Sequence, residues 1–124
     1  MKLHLLAALA IVAVPAAAAA MPVSTFLAKA DALRAKGPLA IFSGDLKLLM
    51  RQVKADAAAL AAENKAAQAA RRPKSYCTPA AGAKMDEKEV LAAMQAVPAA
   101  ERSATETRSA LRAHLARRYP CPKS

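Results

Sequence analysis

Cys77 and Cys121 are the only cysteines in this 124-residue chain, and His114 is the only histidine after the first 20 residues. Two thiols can serve a nucleophilic centre, ligate a metal or join as a disulfide. A nucleophilic centre needs a positioned acid or base beside it, and His114 sits alone on the flank of a helical stripe. A metal centre needs several converging ligands, and no second histidine is available downstream of His4. Asp86, Glu87 and Glu89 are accounted for by helix capping and by the favourable field at a helix N-terminus. The three glycines are too few for a phosphate-cradling loop. The chain is therefore read as having no catalytic residue, no metal site and no cofactor. A Cys77–Cys121 disulfide is the expected use of the thiols.

The compartment supports that choice. Lys2 supplies a positive start, Leu3 to Val14 form an apolar run broken only by His4, and Pro15 ends it. Ala18-Ala19-Ala20 then fits an A-x-A cleavage site, with Met21 as the new N-terminus. A spanning helix needs about 20 apolar residues; Leu3 to Ala20 falls short of this and contains a proline. No cysteine stands at the cleavage point to carry a lipid. Residues 1–20 thus read as a cleaved signal peptide and residues 21–124 as one domain, periplasmic or secreted, with no membrane span. Thiols exported to an oxidising compartment pair. Closing a loop of about 45 residues restricts the unfolded chain by ~4 kcal/mol.

Composition narrows the partners. Alanine accounts for 36 residues, so the hydrophobic content of 56% overstates the core, and the disulfide offsets a thin one. The whole chain carries a net charge of +10, or +9 once Lys2 is removed, which favours acidic partners. Export argues against nucleic acid. So does the scatter of Phe26, Phe42, Tyr76 and Tyr119, which provides no stacking platform for bases.

The elements that must position these residues read as helices throughout, because alanine, leucine, lysine, arginine and glutamate dominate. The first is expected from about Thr25 to Lys36, capped by Ser24 or Thr25, and stopped by Gly37-Pro38. A short turn carrying Leu39, Ile41 and Phe42 follows. The longest helix starts at Ser43-Gly44-Asp45, with Ser43 or Asp45 as cap. Its amphipathic stripe is Leu46, Leu49, Met50, Val53, Ala57 and Leu60. Residues 61–72 are helical by propensity but short of large side chains, so this end is expected to project or fray. Residues 73–85, with Pro73, Pro79 and Gly82, form a loop carrying Cys77. Asp86 to Glu89 cap a third helix with Val90, Leu91, Met94 and Val97 on one face. Ser103 to Glu106 open the last, with Ala104, Leu111 and Leu115 inside and Thr107 and His114 on the border. No period-2 alternation occurs, and the fold class is all-α: a small bundle of four to five helices with one disulfide. Two antiparallel helices bring Cys77 and Cys121 to the same end.

Tyr76-Cys77-Thr78-Pro79, the run Met85 to Leu91, Val97-Pro98 and Tyr119-Pro120-Cys121 together form a recognisable pattern. It resembles the C-terminal half of the type VI secretion amidase-immunity family, the Rap/Tai immunity proteins. The resemblance covers about 46 residues well; the opening Val23 to Leu27 is similar to the family's first helix only loosely. The chain departs from the family in having no cysteine before Cys77 and in the alanine-rich stretch 61–72. The resemblance implies a small helical periplasmic protein in which Cys77 and Cys121 are the family's paired cysteines. It further implies that the chain binds and neutralises a peptidoglycan-cleaving amidase toxin or another periplasmic protein. No partner-binding residue carries over. The competing expectation is a cationic envelope protein held by charge to acidic glycan or lipid.

Overall fold

The computed structural model describes residues 20–123. The signal-peptide reading of residues 1–20 therefore lies outside the described residues, apart from Ala20. Four α-helices form: α1 (Val23–Lys36), α2 (Gly44–Ala69), α3 (Glu87–Gln95) and α4 (Thr107–Arg118). Short 3-10 turns occupy Gly37–Phe42 and Ala99–Glu101. An isolated bridge between Pro22 and Glu106 is the nearest approach to a sheet among the described residues. The all-α bundle read from the sequence is thus the observed architecture.

Helix ends governed by neighbouring residues fall where expected. Ser43 Oγ accepts the Asp45 N–H at 3.3 Å and starts α2, so Ser43 rather than Asp45 is the cap. Asp86 Oδ1 accepts the Glu89 N–H at 2.8 Å and starts α3. Gly37 takes φ +57°, a conformation closed to most L-residues, and ends α1.

Two helix starts need correction. α1 begins at Val23, not Thr25, and no side chain caps it. α4 begins at Thr107, so Ala104 lies outside the helix, exposed in the preceding turn. The reason is long-range. Val23 N–H donates to the Thr105 carbonyl at 2.8 Å, Ser24 N–H to Arg102 at 3.0 Å, and Thr107 N–H to Met21 at 2.9 Å. Each helix thus finds partners for its free N–H groups on the chain that leads into the other.

The stretch 61–72 is helical to Ala69 and largely exposed, as its lack of large side chains predicts, but it does not hang free. Ala67 is buried, and Asn64 holds the following loop by donating to Tyr76 O at 3.0 Å and accepting from Ser75 N at 3.1 Å. Arg72 N–H then reaches back to Ala67 O and Arg71 N–H to Gln68 O, a helix-ending pair of bonds with Arg71 at φ +55° where glycine is usual.

The core gathers Val23 and Phe26 from α1, Leu60 from α2, Met94 from α3, and Leu111 and Leu115 from α4. α1 and α4 each contact all three of the other helices, whereas α2 and α3 scarcely meet. On α2 the buried line is Leu49, Gln52, Asp56, Leu60 and Ala67. At 100° per residue this is rotated by about 60° from the expected apolar stripe. Met50 and Ala57, assigned inward from the sequence, are exposed.

Candidate functional site

The rotation of α2 leaves a groove open on the surface. With its core line turned towards α4, the apolar line Leu46, Met50 and Val53 is left facing α3 across a gap. α1 provides the floor through Phe26, Ala30 and Leu33, and Met85, Val90 and Leu91 form the far wall. The result is an open groove of about 690 Å³. Its lip carries Ile41, 65% exposed, and Met50, 51% exposed. Arg34 and Lys54 edge one side and Asp86 and Glu87 the other. Sequence periodicity placed Met50 in the core, whereas the buried line runs through the polar pair Gln52 and Asp56 between Leu49 and Leu60.

That pair centres a buried polar seam between α2 and α4. Asp56 is 1% exposed. Its Oδ2 accepts from Thr107 Oγ1 at 2.6 Å and its Oδ1 from Gln52 Nε2 at 3.1 Å, with Arg108 Nε at 3.6 Å. Thr107, expected on the border, is fully inside. A buried carboxylate needs such partners, and together they fix the register of α2 on α4. The seam has no opening to solvent at Asp56 and is structural in character.

His114 lies half-buried against α3. Its Nε2 stands 3.6 Å from Glu89 Oε2, while Glu89 Oε1 pairs with Arg118, whose guanidinium also lies 5.3 Å from the Tyr119 ring centre. The hydrogen bond from Arg118 to Glu89 raises the guanidinium's already high pKa. Glu89 therefore does more than follow Asp86 in a cap: it joins α3 to α4. Among the described residues no three His, Cys, Asp or Glu side chains converge as a metal set.

Cys77 and Cys121 are disulfide-bonded, with Cα atoms 4.8 Å apart. Cys77 N–H donates to Tyr119 O at 2.8 Å alongside the bond, and buried Tyr76 plugs the same end. Burial, and secondarily the Glu63 carboxylate, push the Tyr76 hydroxyl above its ordinary value of 10.0. The bond is compatible with an oxidising compartment, and no helix among the described residues is long and apolar enough to cross a membrane.

No family model, curated protein or solved structure matches the chain. The groove, its lip and the charges beside it are therefore read on their own chemistry.

Proposed function

We propose that residues 21–124 act as a non-catalytic binding module in the periplasm, occluding a partner protein in the manner of the amidase-immunity proteins that residues 76–121 resemble. The observation that carries this reading is the open apolar groove between α2 and α3, with Ile41 and Met50 exposed on its lip. Exposed contiguous apolar surface of this kind marks interaction sites, and a slot between two helices with a third as floor accepts an amphipathic helix or a loop. The partner class, a peptidoglycan amidase toxin, comes from the resemblance alone.

A second reading has its own observation. Lys36, Lys47, Arg51, Lys54, Lys65, Arg71, Arg72 and Lys74 are exposed and belong to none of the ion pairs among the described residues. Such a surface suits adhesion to acidic glycan or lipid by charge.

Affinity capture with residues 21–124, washed at rising salt and read by mass spectrometry, separates the two. The groove reading expects one protein in stoichiometric amount that survives high salt and is lost with Met50→Glu. Recovery of mixed acidic material alone, all released at moderate salt, would sink it, because exposed charges are screened over roughly 8–10 Å.

A further inference from the structure

We propose that the 3-10 turn Gly37–Phe42, with the first turns of α2, is a docking tip for the surface of an anionic lipid bilayer. The turn borders the groove through Gly37, Ala40 and Ile41, but Leu39 and Phe42 do not line it. Leu39 is 69% exposed and Phe42 79%, values that leave most of both residues uncovered by the described part of the chain. A concave protein site needs a matched shape to cover two such projections; a fluid bilayer closes around them. Phenylalanine and leucine on a surface element that also carries lysine and arginine are the composition of interfacial attachment.

The surrounding charge selects the lipid. Lys36 immediately precedes the turn, and Lys47, Arg51 and Lys54 follow at i, i+4 and i+7, one exposed stripe of α2. That stripe starts in the first turn of α2 and ends about 15 Å from the helix start along the axis. The acids of this region are engaged locally: Asp31 faces Arg34 at 3.9 Å and Asp45 holds Lys29 at 3.1 Å. Lys36 Nζ donates to the neutral Ser43 hydroxyl and keeps its charge unbalanced. The same positive field repels a second copy of this chain. It attracts any polyanion, but only a bilayer also takes up Leu39 and Phe42. Attachment is peripheral, since no helix among the described residues is long and apolar enough to span.

The test is vesicle co-sedimentation with a chain beginning at Met21, which contains every element of the described residues and lacks the apolar run Leu3 to Val14. Vesicles of phosphatidylglycerol in phosphatidylcholine are compared with phosphatidylcholine alone. Binding is expected to the anionic vesicles and not to the neutral ones. Leu39→Ser with Phe42→Ser should weaken it about tenfold or more through lost apolar burial. Lys47→Gln with Arg51→Gln should weaken it by a factor of about 25 at low salt, each basic side chain near an anionic surface contributing a factor of about five. Both pairs of side chains are exposed, so unchanged melting temperatures are expected and confirm intact folds. No excess binding to anionic vesicles overturns the proposal. Full binding by the Leu39→Ser, Phe42→Ser chain also overturns it, leaving adhesion by charge alone. A third overturning result is loss of a captured protein with that same chain while vesicles are ignored; the turn is then a protein epitope. Capture lost with Met50→Glu and kept with Leu39→Ser, Phe42→Ser bears on the groove and leaves the tip to the vesicle result.

Discussion

Helix α2 meets the rest of the molecule in two contrasting ways. Towards α4 it presents a polar line, Gln52 and Asp56, and the contact is closed, with hydrogen bonds to Thr107 and a nearby Arg108. Towards α3 it presents an apolar line, Leu46, Met50 and Val53, and the contact is open. The usual expectation runs the other way. The difference teaches that burial here follows which pairs of helices are fastened together, and that the apolar surface left over is available for binding. α4 is fastened to α2 by the Asp56 seam and to α3 by Glu89 with Arg118, whereas little holds α2 to α3.

The sharpest way to break the contrast is to empty the closed side. Asp56→Ala leaves Thr107, Gln52 and Arg108 without their shared acceptor and should destabilise by about 4 kcal/mol, read by urea unfolding. A loss under about 1 kcal/mol would mean that the seam does not hold α2 in register. Next comes the covalent fastening. Cys121→Ser should lower stability by about 3 kcal/mol, and adding reductant to the wild-type chain should reproduce it. A melting temperature indifferent to both would remove the disulfide from the account.

Adjacent residues give the most direct comparison. Leu49→Ala, on the buried line, should lose about 2–4 kcal/mol. Met50→Ala, one position along and on the open line, should stay within about 0.5 kcal/mol. Equal losses would show that the groove is packed in solution. Smallest is a pH effect at the disulfide end. The Tyr76 hydroxyl titrates above 10.0 in the fold. A raised value stabilises the fold fully below the unfolded value, and that contribution is lost as pH rises through the folded one. Tyr76→Phe should therefore show a shallower decline in melting temperature above pH 10 than the wild-type chain. Superimposable alkaline profiles would dismiss Tyr76 as the cause.

What the sequence made legible follows the range of the interaction responsible. Ser43 and Asp86 cap through bonds to residues two and three positions away, and both were readable as capping patterns. The disulfide was readable from the cysteine count and the expected export of the chain. The starts of α1 and α4 were not, because their caps are main-chain carbonyls about 80 residues distant, and any residue type supplies a carbonyl. Nor was the rotation of α2. Apolar periodicity identifies a greasy stripe without saying which part is covered, and Asp56 in isolation resembles a solvated acid. Only its bond to Thr107, 51 residues away, marks it as interior. The groove and the tip went unseen for the same reason: both consist of apolar side chains that periodicity assigns inward or to a featureless turn.

The bonds that join Met21, Val23 and Ser24 to Arg102, Thr105 and Thr107 have a consequence in time. A chain that emerges N-terminus first presents α1 early, with its leading amides unmatched. Their partners arrive only after some 80 further residues, and the last helix, which contacts all three others, arrives last of all. Non-local closure of this kind delays folding until the loop between the partners can be crossed. The molecule is therefore built to stay open while it is being made, and to shut only when its C-terminal residues are present.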